Sequence, residues 1–215
     1  MIADYPGEVI LAVDTSLGTA VALIDDDGTR RSDASAADPL GHAEVIGDLL
    51  VRALNETGSG EVGHVVAGMG PGPFTGLRIG IAAARAFALG RGIPVIPVPS
   101  HLAAALTAIE RDAVMGPFAI VTDARRREVA ITVFDGTDAD GIPLTTVDTR
   151  LVPSVDADEH LDGVRRIDVA TLSAVDLARV GARAVAAGRT LAGDEPLYLR
   201  HPDVTVPGAP KKVGR

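Results

Sequence analysis

Nine consecutive residues, Gly70-Pro71-Gly72-Pro73-Phe74-Thr75-Gly76-Leu77-Arg78, hold the densest chemical signal in this 215-residue chain. Glycine reaches backbone angles closed to other residues, and proline fixes φ near −65°, so the loop is sharply turned and stiff. It runs from the apolar segment Val65-Val66-Ala67 into the helical pattern Ile79 to Leu89. There it can aim backbone N–H groups and Thr75 at an anion or at another chain. A rigid strand-to-helix connector has the same pattern. A second candidate is Asp14-Thr15-Ser16, which follows the apolar run Ile10 to Val13. A turn at such a strand end can hold nucleotide phosphates while the aspartate addresses a metal, but Gly18 is the only glycine near it, and a capped turn accounts for it as well. The candidate nucleotide or phosphate residues are therefore Asp14, Thr15, Ser16, Gly70, Gly72, Thr75 and Gly76.

Other catalytic chemistry is poorly represented. The five histidines are His42, His64, His101, His160 and His201. A helical metal pair needs two ligands four residues apart, yet His42 is followed at that spacing by Ile46 and His101 by Ala105. Each histidine alone reads as a polar surface or capping residue, and no metal site is expected. The chain has no cysteine and no G-x-S-x-G nucleophile elbow. Arg125-Arg126-Arg127-Glu128 can grip an acidic group, or simply form a solvated hairpin turn.

The elements that must position these residues follow from hydrophobic periodicity. Glu8 to Asp14, Thr19 to Ile24 and Thr29 to Ser35 read as a β-meander, and His42 to Asn55 as an amphipathic helix. Strand Val65 to Gly68, helix Leu77 to Leu89 and strand Pro94 to Val98 make a β-α-β crossover. Helix Ser100 to Arg111, with Ser100 as N-cap, bridges two lobes. The pattern then partly repeats: strands at Phe118 to Thr122, Glu128 to Phe134 and Leu144 to Leu151, an apolar stretch at Ile167 to Ala170, and a helix at Asp176 to Ala187. Glu195 to Pro202 is an extended closing element. The expected organisation is an N-terminal lobe (1–105), a smaller C-terminal lobe (106–206) and a mobile tail (207–215).

Composition narrows the class of protein. Hydrophobic residues make up 47% and aromatics 3%, so the core must be aliphatic. The net charge of −9 comes without a basic stripe, which argues against autonomous nucleic-acid binding. No basic n-region precedes the short apolar run Val9 to Val13, and no apolar run reaches membrane-spanning length, so a cytoplasmic location is expected. Gly76, Gly80, Ala84 and Ala88 recur every four residues and form a smooth stripe for close helix contact. The stripe can pack on the His42–Asn55 helix, and the two helices together can present a face to another subunit. The candidate partner-interface residues are His42, Val45, Ile46, Leu49, Leu50, Ala53, Gly80, Ala84, Phe87 and Ala88.

Five segments together resemble one family, TsaB/YeaZ: Ile10 to Ser16, His42 opening its helix, Gly70 to Gly80, Thr122-Asp123-Ala124-Arg125, and Tyr198-Leu199-Arg200-His201-Pro202. The resemblance covers essentially the whole chain. It implies an α/β, actin-like and sugar-kinase-like (ASKHA, ribonuclease H-like) fold of two lobes, each a mixed sheet with helices. Relatives carry the label M22 glycoprotease homologue. It further implies a non-catalytic subunit that helps transfer a threonylcarbamoyl group to the adenosine beside the tRNA anticodon. The implied partners are a TsaD-type catalytic subunit and a TsaE-type ATPase, with a homodimer when alone and tRNA contacted only through the complex. ATP or ADP and metal are then expected in the partner subunits, with no cofactor in this chain. Two metal-binding histidines of TsaD fall on Ser100 and Ala104 here, or on His101 and Ala105 one residue along, and both registers lack the second ligand. A stand-alone ASKHA-type small kinase or an M22-type metallopeptidase is the alternative.

Overall fold

A computed structural model describes residues 8–37, 41–55 and 61–200. Its first sheet contains β1 (Val9–Asp14), β2 (Thr19–Asp25), β3 (Arg30–Ala36), β4 (Val62–Gly68) and β5 (Val95–Val98), in the order β3-β2-β1-β4-β5. The first three strands form an antiparallel meander, and β4 and β5 join in parallel. β1 is buried at all six positions because both sheet faces are covered. Helices α1 (His42–Asn55) and α2 (Phe74–Arg91) cover one face, packing Ile46, Leu49, Leu77, Ile81 and Ala84 onto Leu11, Val13 and Val65.

The second sheet repeats the strand order in shortened form. Strands β6 (Pro117–Asp123), β7 (Glu128–Thr137), β8 (Pro143–Pro153) and β9 (Arg165–Asp168) are ordered β8-β7-β6-β9, with β6 and β9 parallel and the other pairs antiparallel. Helices α3 (Ser100–Glu110) and α4 (Ala174–Ala186) lie between the sheets. One continuous core joins Ile10, Ala22 and Val66 of the first sheet, Leu106 of α3, Leu177 of α4, and Phe118 and Phe134 of the second sheet. A third cluster, including Val121, Ile131 and Leu161, closes the outer face of the second sheet. The core is aliphatic apart from the stacked pair Phe118 and Phe134, 5.8 Å between centroids.

The periodicity reading locates the regular elements apart from the 3₁₀ turn at Glu159–Leu161 and strand β9, which covers Arg165–Asp168 where only an apolar stretch at Ile167 to Ala170 is read, and it matches α1 at both ends. Three differences have physical causes. α2 starts at Phe74 rather than Leu77, because Pro73, with φ of −59°, already sits in geometry suited to entering a helix. Ser100 is the first residue of α3 and not its cap; Pro99 occupies the cap position, and the serine hydroxyl is engaged elsewhere. The expected lobe boundary at 105/106 falls inside α3, and α4 packs on the first sheet although it lies in the second half of the chain. His201, Pro202 and the tail 207–215 lie outside the described residues. Among the described residues, no helix is long and apolar enough to cross a membrane.

The fit of α4 against β4 depends on one missing side chain. A Cβ at Gly181 would stand 2.3 Å from Val66 Cγ2 and 3.0 Å from its Cγ1. Gly181→Ala should therefore destabilise the chain by roughly 1–3 kcal/mol, despite alanine's better helix propensity. Urea unfolding measures this, and an unchanged or higher midpoint would contradict the packing described.

Candidate functional site

Because β1 and β4 are parallel neighbours, their C-terminal ends meet at one edge of the sheet, where Asp14-Thr15-Ser16 and the Gly-Pro loop come together. Asp14 is 2% exposed. Its Oδ1 accepts from Ser16 N at 2.7 Å, and its Oδ2 accepts from Ser100 Oγ at 2.5 Å and Ser16 Oγ at 3.3 Å. Ser100 Oγ also lies 2.8 Å from Ser16 Oγ and accepts from Gly70 N at 3.0 Å, while Ser100 N donates to Gly70 O at 2.8 Å. Burial raises the pKa of Asp14 above its ordinary 3.8, and the hydrogen bonds from Ser100 and Ser16 oppose the rise. Thr15 Oγ1 donates to Gly76 O at 2.8 Å, and His42 Nδ1 lies 2.8 Å from Thr19 Oγ1.

The glycines allow this chain to approach itself. A Cβ at Gly68 would stand 1.8 Å from Asp14 Oδ2, and one at Gly80 would stand 2.2 Å from Thr15 Oγ1. At Gly72 and Gly76 the same atom would meet Ser16 Cα at 2.8 Å and His42 Nε2 at 2.9 Å. Of the seven candidate phosphate residues, Asp14, Thr15, Ser16, Gly70 and Gly76 are buried, Gly72 is half-buried and Thr75 is exposed.

The ten candidate interface residues divide by exposure. Gly80, Ala84 and Ala88 face inward, with Ala84 fully buried, because the smooth stripe lets α2 lie close to the end of β1. His42, Ile46, Leu49 and Ala53 are buried in the same core. Val45, Leu50 and Phe87 keep partial exposure, and Val51 and Leu89, at 58% and 84%, are the large apolar side chains most exposed on these helices.

The histidines separate into two kinds. His42 and His101 are buried, contrary to the surface role expected of lone histidines; His64 faces Glu8 at 3.4 Å, and His160 is exposed. His101 Nδ1 lies 2.7 Å from Thr132 Oγ1, and its Nε2 lies 3.0 Å from Thr122 Oγ1. With both nitrogens engaged, neither ring position fits a metal. Burial pushes its pKa down to about 3 from 6.5. Ala104 and Ala105 are buried and offer no ligand. Among the described residues, no three His, Cys, Asp or Glu side chains are placed to hold a metal ion.

Sequence reasoning missed a cavity of about 480 Å³ where the Gly-Pro loop, the β6–β7 turn and the closing segment meet. Phe74 and Tyr198 form its aromatic wall, 4.7 Å apart, with the Arg78 guanidinium 3.7 Å over the Phe74 ring and its Nε donating to Tyr198 Oη at 2.9 Å. The i, i+4 spacing of Phe74 and Arg78, not used in the sequence reading, is the signal that could have found half of this cluster. Tyr198 arrives from 120 residues away and gave no local sign. The closing segment is further fixed by Leu197 N donating to Met69 O at 2.8 Å and by Arg85 bonding Asp194 O. At the β6–β7 turn, Arg125, Arg126 and Arg127 all have positive φ, at 66°, 56° and 63°. Left-handed backbone costs roughly 1–2 kcal/mol for each residue with a side chain. Asp123 Oδ1 accepts from Arg125 N at 3.0 Å, and Arg200 bonds both Glu128 and Arg125 O, so the turn is held from two sides.

With this geometry in place, relatives can be weighed. The family model described as TsaD, tRNA N6-adenosine threonylcarbamoyltransferase, matches residues 39–160, more than half of the chain. The chain belongs to the TsaD family. Within it the chain is TsaB/YeaZ-like. The TsaB protein of Escherichia coli, described as a tRNA threonylcarbamoyladenosine biosynthesis protein, is 32% identical over 122 residues, 56% of this chain and 52% of that protein. An uncharacterised protein of Mycobacterium tuberculosis is 39% identical over 128 residues, 56% of each chain. The chain thus spans about half the length of the curated relatives it matches. A solved Pseudomonas aeruginosa structure, described as similar to peptidase YEAZ, aligns with a TM-score of 0.74 at 24% identity, covering 90% of this chain and 100% of its own. That likeness shows the fold, an α/β fold with two mixed sheets.

Two outcomes follow from the site. Gly80→Ala should cost about 2 kcal/mol or more by forcing Thr15 off its bond to Gly76 O. Thr15→Ala removes the clashing atoms, so the double variant should unfold at higher urea than the sum of the two single losses predicts; strict additivity would count against the contact. His101 supplies the second. A folded pKa below the unfolded value means that the unfolded chain takes up the proton first, so stability falls as pH drops below 6.5 towards 3. Relative to His101→Gln, the native chain should lose up to about 1.4 kcal/mol per pH unit across that window, and parallel stability curves would refute a neutral, buried ring.

Proposed function

We propose that this chain is a non-catalytic subunit of the machinery that transfers a threonylcarbamoyl group to the adenosine next to the tRNA anticodon, acting in the cytoplasm. The observation that carries this reading is the closed end of β1: the aspartate, hydroxyls and glycines that would hold a nucleotide or metal in an active relative are occupied with each other. Membership of the TsaD family and likeness to TsaB support the reaction assigned. In this reading a TsaD-type subunit performs the chemistry with its own metal and nucleotide, a TsaE-type ATPase assists, and tRNA is gripped by the complex. The chain's contribution is a surface, formed by the outward faces of α1 and α2 with Leu50, Val51, Phe87 and Leu89. Exposed apolar side chains on adjacent helices favour being covered, so the same reading expects a homodimer when the partner is absent.

The test is an omission assay. tRNA, ATP, a threonylcarbamoyl-adenylate source and TsaD- and TsaE-type proteins from the same organism are combined with and without this chain, and modified adenosine is read by mass spectrometry. Product is expected only with the chain present, and none from the chain alone; equal product without it would overturn the reading. Val51→Asp with Leu89→Asp changes two exposed positions, so unfolding should move by less than about 1 kcal/mol while co-elution with the TsaD-type subunit is lost.

A further inference from the structure

An unpaired sheet edge is a template for another strand unless something blunts it, and the two sheets end in β3, β5, β8 and β9. Three of these edges are blunted. β3 carries Arg30, Arg31 and Asp33, β5 is four residues long with Pro97 inside it, and β9 is four residues long with Arg165, Arg166 and Asp168. β8 is the exception. It runs for 11 residues with prolines only at its ends, and no charge lies between Pro143 and Asp148. Leu144 to Asp148 are successive exposed residues, with Leu144 at 46% and Val147 at 37%. Register shifts leave Leu144, Thr146, Asp148 and Thr149 without a partner position in β7, so this part of β8 is bent as well as open.

A second cavity, of about 770 Å³, lies against the same strand. Leu102, Phe134, Ile142 and Leu197 give it apolar walls, and Asp148 of β8 and Glu195 of the closing segment also line it. Arg189, the cation on its wall, is already bonded to Asp138 and Asp140. Asp148 and Glu195 are exposed, and among the described residues neither is engaged in an ion pair. The cavity therefore combines apolar walls with uncompensated negative charge.

We propose that the free edge of β8 takes up an extended, basic segment of another protein, pairing main chain to main chain along Leu144 to Asp148. Residues two apart in such a segment share a face, so one can set an apolar side chain against the cavity walls and the next a lysine or arginine against Asp148 and Glu195. Charge and shape both favour this occupant over a second copy of the chain. A copy would bring another Asp148 to the same edge in a protein of net charge −9. A bent edge also fits its own rigid image poorly, whereas a short segment can follow the bend. The inference goes beyond the threonylcarbamoyl reading and uses no residue of the α1–α2 surface.

The experiment uses the full chain and a fluorescein-labelled peptide, Lys-Val-Thr-Val-Lys, with Glu-Val-Thr-Val-Glu and a backbone N-methylated form of the lysine peptide as controls. The lysine peptide should bind one site per chain and slow hydrogen exchange at the amides of Leu144 to Asp148. Each control should bind about tenfold or more weakly, because one has the wrong charge and the other lacks main-chain donors. Asp148→Lys with Glu195→Lys should reverse the preference between the two charged peptides, and the urea midpoint should hold because both positions are exposed. Hydrogen exchange on the native chain keeps the test decisive if that variant folds poorly. The proposal fails if the lysine peptide does not bind, if N-methylation leaves its binding unchanged, or if protection appears away from β8. Binding only in dilute samples where a dimer has dissociated would give the edge to a second copy, and binding only in Lys211→Glu with Lys212→Glu would give it to this chain's own basic end; either result overturns the proposal.

Discussion

The hydroxyl of Ser100 is the point through which the rest of this structure is tied. It donates to Asp14 at the end of β1 and accepts from Gly70 at the start of the Gly-Pro loop, while standing at the first turn of α3. Three segments far apart in sequence therefore share one buried polar centre. A carboxylate in this position is costly unless its oxygens are satisfied, and here the backbone and two serines satisfy them. The glycines at 68 and 80 then follow from sterics, since this is the space into which their side chains would project.

From that centre the layers follow. Parallel pairing of β1 and β4 brings the loop to the end of β1, α2 leaves the loop with its small residues inward, and α3 leaves the serine towards the second sheet. With α3 and α4 filling the space between the sheets, the two halves share a continuous apolar core instead of meeting across a thin neck. The inter-sheet side chains are packed as an interior, so separating the sheets would expose Leu106, Leu177, Phe118 and Phe134 together.

Much of this was legible in the sequence because the governing signals are local. Apolar runs punctuated by turns marked the meander, 3.6-residue spacing marked α1 over its full length, and a proline and glycine pattern marked the loop. What the loop does was less legible, since a glycine cleared for a phosphate and one cleared for a threonine look identical in one dimension. Gly80 and Thr15 illustrate this: 65 positions separate them, and their contact is set by the pairing of strands that neither belongs to. The same applies to the inward turn of the small-residue stripe and to Tyr198 beside Phe74. Ser100 was read as a cap because cap and buried linker share a position at the start of a helix, and only the tertiary partner distinguishes them. The left-handed arginines contradict local preference, so no propensity argument reaches them.

The placement of α4 bears on how the chain is built in time. All five strands of the first sheet are synthesised by residue 98, yet the helix that covers the inner face, with Ile10, Ala22 and Val66, begins at residue 174. Chains are made from the N-terminus, so that aliphatic face lacks its α4 cover while residues 99–173 are being made. Premature termination before residue 174 would release a sheet with a bare inner face, a species prone to self-association. Folding of the early-made first sheet is therefore completed only by a helix made after all four strands of the second sheet.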